Sequence, residues 1–95
     1  MNLNSKSRAL SAYPADIVKR VIDQYAADAI GQVHLWLEDL ASDRLARCAL
    51  YLANGSIEKL RGAVDLGRND PRDLIVAAEY DRTDKQIRDF NLPFE

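Results

Sequence analysis

A single cysteine, Cys48, occurs in the 95-residue chain. No disulfide can therefore close within it, which excludes a cross-linked secreted scaffold and makes a reducing, cytoplasmic setting the expectation. Histidine is equally scarce. With His34 alone beside one cysteine, the chain lacks the nitrogen and sulfur ligands of a tetrahedral metal site. No stretch approaches the 18 or so uninterrupted apolar residues of a membrane span. Residues 1–10 carry Lys6 and Arg8 among Asn and Ser without an apolar core, so no signal peptide is expected. Glycine is sparse too: Gly31, Gly55, Gly62 and Gly67 match neither the phosphate-cradling G-x-x-x-x-G-K-[ST] spacing nor the dinucleotide G-x-G-x-x-G spacing. No repeat, heptad run or low-complexity tract is present.

What is present is 47% hydrophobic and 29% charged residues, the make-up of one ordinary globular domain. The net charge of −2 conceals an uneven distribution. Residues 14–43 hold two bases against six acids, residues 44–68 five against two, and residues 69–95 four against seven. Alternating blocks of this kind suit internal packing or partner steering better than the continuous basic stripe that binds phosphates.

The apolar spacing is helical throughout. Ile17, Val18, Val21, Ile22 and Tyr25 recur along a first helix over 14–28, with Pro14 at its first position and Asp16 in its first turn. Ile30, Val33, Leu37 and Leu40 form the stripe of a second helix. Ser42 caps a third, nearly all-apolar helix interrupted by Arg44 and Arg47, and Asn54-Gly55 ends it. Ser56 caps a fourth bearing Ile57, Leu60, Ala63 and Val64. Asp70, Pro71 and Asp73 open a fifth through Leu74-Ile75-Val76. Thr83 and Gln86 have capping-box spacing ahead of a last turn containing Ile87 and Phe90, and Pro93 blocks continuation. The expectation is an all-α, compact orthogonal bundle of five or six short helices. A flexible arm is expected over 1–12 and a single helical domain over 13–95.

Chemistry-bearing constellations are few. His34 and Glu38 share a face at i, i+4, but no third ligand accompanies them, so no metal and no cofactor is expected. Cys48 lies among Leu45, Ala49 and Leu52, where a thiol is a small inert core group. The acids, Glu79 and Asp81 among them, fall near helix ends, where acids cap or stabilise. The chain is therefore expected not to be an enzyme. The Asn54-Gly55 turn permits a helix-turn-helix alternative, a nucleic-acid-binding regulator using Arg44, Arg47, Lys59 and Arg61. Glu58 and Asp65 on the same outer face weaken that alternative.

Residues 49–58, from Ala49-Leu50 through Asn54-Gly55-Ser56-Ile57-Glu58, resemble the second and third helices of ubiquitin-associated domains. Upstream, Glu38-Asp39-Leu40 stands where that family carries its Met-Gly-Phe contact loop, so the resemblance implies no ubiquitin binding. A longer run is similar to short bacterial proteins of uncharacterised function. It leads from Leu52-Ala53 through Arg72-Asp73-Leu74 to Ala78-Glu79-Tyr80 and implies a compact helical module.

Three apolar residues stand off their helices' buried stripes: Leu35, Trp36 and Leu66. At 100° per residue Leu35 points opposite Val33 and Leu37, with Trp36 at the edge. Aromatic anchors dominate binding hot spots, so this trio is the candidate partner surface. The expected function is a non-enzymatic interaction module or regulatory accessory protein that self-associates, or receives a protein partner, through that face.

Overall fold

A computed structural model of the protein describes residues 8–94. Five α-helices occupy most of that span: α1 (Ala15–Gln24), α2 (Ile30–Glu38), α3 (Asp43–Ala53), α4 (Ile57–Asn69) and α5 (Pro71–Glu79). Short 3-10 turns at Leu10–Ala12 and Ala27–Ala29 lead into α1 and α2. The expected arm over 1–12 falls partly outside the described residues; within them, Leu10 of the first turn packs on the core.

The helix boundaries follow from local chemistry. Ser42 Oγ accepts from Leu45 N, Ser56 Oγ from Lys59 N, and Asp70 Oδ1 from Asp73 N, so each side chain satisfies a backbone donor that the first helical turn leaves free. At the other end of α3, Asn54 takes the left-handed conformation (φ 44°) and Gly55 follows at φ 89°. This turn sets α4 against α3.

α3 lies at the centre, packed on α1, α4 and α5. Its Leu45, Ala46, Cys48, Ala49, Leu50 and Ala53 are all buried. Around it gather Ile17 and Val21 of α1, Val33 and Leu37 of α2, Leu60 and Val64 of α4, and Leu74 and Ala78 of α5. α4 comes close at Gly67, where an added Cβ would stand 2.6 Å from Leu40 Cδ2 and 2.7 Å from Leu74 Cδ2.

Four expectations need correction. The first helix ends at Gln24 because Tyr25 turns extended (φ −122°, ψ 144°) and drives its ring into the core, while Ala26, Ala27 and Asp28 offer nothing to bury. Pro14 accordingly caps α1 from outside, and Ile22, five residues and about 140° past Ile17, faces solvent. Among the described residues, no helix follows α5. Instead Asp81 Oδ1 accepts from Thr83 N, Thr83 Oγ1 and Lys85 N, folding a tight turn with Asp84 at φ 62°. That turn returns the chain so that Gln86 bridges Tyr80 in antiparallel fashion.

Candidate functional site

The strongest concentration of charge inside the fold centres on Glu79, whose side chain is completely buried. Arg44 grips it with two bonds, Nε to Oε2 at 2.9 Å and Nη2 to Oε1 at 2.6 Å. Gln86 Nε2 donates to Oε1 and Phe90 N to Oε2, while the Cys48 thiol lies 3.7 Å from Oε2. The carboxyl pKa is held below its ordinary value, chiefly by the Arg44 hydrogen bonds. Burial first, and the Glu79 charge second, push the Cys48 thiol up to about 12. A thiol so poised stays protonated at neutral pH, which makes it a poor nucleophile.

A second buried pair joins α1 to α3. Arg47 donates to Asp16 through Nε at 2.8 Å and Nη2 at 3.1 Å, and through Nη1 to the Phe90 carbonyl at 3.2 Å. Phe94 N also donates to Asp16, whose pKa lies below its ordinary value, first because of Arg47. Both carboxylates thus hold the non-helical C-terminal segment against the bundle. They serve architecture, and neither was marked for this by sequence periodicity. One signal was available: an acid in the last turn of a helix is disfavoured by the macrodipole, so Glu79 needed a compensating cation.

The residues of the nucleic-acid alternative do not share one surface. Arg47 is buried on Asp16 and Arg44 is committed to Glu79, because an arginine within a buried helix is stable only when paired. Lys59 and Arg61 alone remain on the outer face of α4.

His34 and Glu38 do come together, with Nε2 and Oε1 3.8 Å apart. Their polar atoms meet the entering N-terminal segment: His34 Nε2 donates to the Arg8 carbonyl, and Glu38 Oε2 accepts from Arg8 N. The Arg8 guanidinium lies 3.7 Å from the Tyr13 ring centre and pairs with Asp43. Among the described residues, no group of three or more His, Cys, Asp or Glu side chains is arranged to hold a metal ion.

Of the proposed partner trio, only Leu35 stands open, with 59% of its surface exposed. Trp36 and Leu66 are half-buried against the core. The cause is the packing of α2 on α4 and on α1, which covers the edges of the α2 stripe.

A different apolar region emerges at the C-terminal end. Tyr51, Phe90 and Phe94 stack in series, with ring centres 5.2 and 5.5 Å apart. They help line a cleft of about 450 Å³ together with Ile87, Leu92, Arg20 and Arg88. Phe94 docks back onto the core, whereas Leu92 remains 60% exposed.

No family model, curated protein or solved structure matches this chain. Among the described residues, no helix is long and apolar enough to cross a membrane.

Proposed function

We propose that this chain is a small, non-enzymatic, cytoplasmic interaction module that pairs with a second copy of itself through the outer face of α2. The observation that supports this reading is the exposed Leu35, set opposite the buried Val33 and Leu37 and beside the half-exposed Trp36. A Leu and a Trp on adjacent positions give an apolar centre, and Glu38, Asp39 and Arg68 provide a polar rim in which Arg68 lies 3.9 Å from Asp39. A two-fold pairing of this face is self-complementary. The engagement of Arg44 and Arg47 by buried acids counts against the nucleic-acid alternative, which needs its cations free for phosphates.

Light scattering after size exclusion, at low and high salt, tests the reading on wild type, Leu35→Asp and Trp36→Ala. The expected result is a dimer that persists in high salt and dissociates at least tenfold more readily in both variants, circular dichroism being unchanged. Wild-type protein that stays monomeric across all concentrations would overturn the reading.

A further inference from the structure

The C-terminal cleft combines apolar surface with two guanidinium groups, Arg20 and Arg88, and one carboxylate, Asp89. Arg20 lies with its guanidinium 4.3 Å from the Phe94 ring centre, and Arg88 lies 4.4 Å from that of Tyr51. Both line the cleft, and among the described residues neither forms an ion pair. Arg88 spends one donor, Nη1, on the Ala78 carbonyl. Of the carboxylates nearby, Asp16 is taken by Arg47 and Phe94 N and Asp23 by Lys19, whereas Asp89 accepts at Oδ1 from Asn91 N and Nδ2 and keeps its charge, which leaves the cleft with two cations to one carboxylate.

The polar groups beside Arg20 point the same way. Arg20 and Phe94 also line an adjoining cleft of about 330 Å³ with Gln24, Lys19 and the already paired Asp16 and Asp23. Arg20 Nε and Gln24 Oε1 are withdrawn from solvent, yet neither has a hydrogen-bond partner within the described structure. Such groups cost free energy unless a ligand or solvent reaches them. At the rim, Ile87 and Leu92 are exposed at 50% and 60%. A guanidinium stacked on a ring keeps its in-plane N–H donors directed outward and suits a carboxylate.

We propose that the cleft formed by Tyr51, Ile87, Phe90, Leu92 and Phe94, with Arg20 and Arg88 at its edges, binds a segment of a partner protein that carries carboxylates next to large apolar side chains. The apolar side chains cover Ile87 and Leu92, and the carboxylates meet the two guanidinium groups. This surface is separate from the outer face of α2, so either can fail without the other.

Fluorescence anisotropy of a short fluorescein-labelled peptide of alternating Asp and Phe or Leu residues tests the proposal, alongside versions with Asn or Lys in place of Asp. The acidic peptide is expected to bind saturably and the Asn version about tenfold more weakly, as two rim charge contacts predict, with no saturation by the Lys version. Arg20→Gln combined with Arg88→Gln should weaken the acidic peptide about tenfold, while Lys59→Gln combined with Arg61→Gln, the same loss of charge on α4, leaves it unchanged. Ile87→Ser with Leu92→Ser, at outward positions that leave the core intact, should weaken it several-fold. Leu35→Asp should bind as wild type does. Absent saturation, equal losses in the two arginine- and lysine-bearing pairs, or equal binding of the Asn peptide would each overturn the proposal.

Discussion

At the scale of single residues, Glu79 is the buried side chain on which Arg44, Gln86, Phe90 N and the Cys48 thiol converge. Replacing it with Gln preserves shape, but removes the charge that answers Arg44 and turns one acceptor into a donor facing Gln86 Nε2 or Phe90 N. Breaking a buried pair from one side costs about 3 kcal/mol when the remaining ion retains some access to water, as Arg44 does here. Urea unfolding of Glu79→Gln should show that loss. The pH dependence follows from the same contacts. The folded-state pKa of Glu79 lies below its ordinary 4.5, and that of Asp16 below 3.8. A depressed pKa supplies stability that is complete above the unfolded value and disappears as pH falls through the folded one. The urea midpoint should therefore be flat above about pH 5 and drop below about pH 4. In Glu79→Gln the drop should be shallower, since one of the acids with a depressed pKa is gone while Asp16 and Asp81 remain to be protonated. A midpoint equally acid-sensitive in both proteins would refute this assignment.

At the scale of elements, α4 offers two glycines with opposite demands. Gly62 is exposed and a Cβ there meets nothing within 4 Å, so Gly62→Ala should stabilise the protein by about 1 kcal/mol through helix propensity. Gly67→Ala gains the same propensity, but must displace the buried Leu40 and Leu74 methyls. Overpacking of a close-packed core costs roughly 1–3 kcal/mol, so the net effect should be a loss of about 1 kcal/mol. Thermal melts of the two variants should shift in opposite directions. The helices themselves were largely legible in the chain: Ser42, Ser56, Asp70 and Asn54-Gly55 each do locally what their chemistry prescribes. Residues 81–90 were misread because Thr83 and Gln86 have capping-box spacing, whereas the Asp81 carboxylate captures the same backbone donors for a turn. Gln86 is then drawn to Glu79, a contact with no signature in periodicity.

At the scale of the whole molecule, the two buried acids act on one target from opposite sides. Glu79 accepts from Phe90 N, while Arg47, held by Asp16, donates to the Phe90 carbonyl, and Asp16 also takes Phe94 N. The pairings of Arg44 with Glu79 and of Arg47 with Asp16 span 35 and 31 positions of sequence, which is why single-helix patterns showed that the two arginines interrupt an apolar helix but not what answers them. The same reason hid the aromatic cleft, since Tyr51 of α3 meets Phe90 only after the segment beyond α5 has folded back. A chain of this length has about 5–14 kcal/mol of net stability, so release of that segment consumes a large share. Once one carboxylate is neutralised and the segment loosens, the other has less left to hold. Asp16→Asn and Glu79→Gln should therefore combine to less than the sum of their separate losses, with a coupling of about 1 kcal/mol in a double-mutant cycle by urea unfolding. Strict additivity would mean that each pair stabilises its own helix contact and that the C-terminal segment docks independently of both. The sub-additive result instead makes the segment bearing Ile87, Phe90 and Leu92 one cooperative unit, and the aromatic cleft as stable as the ion pairs beneath it.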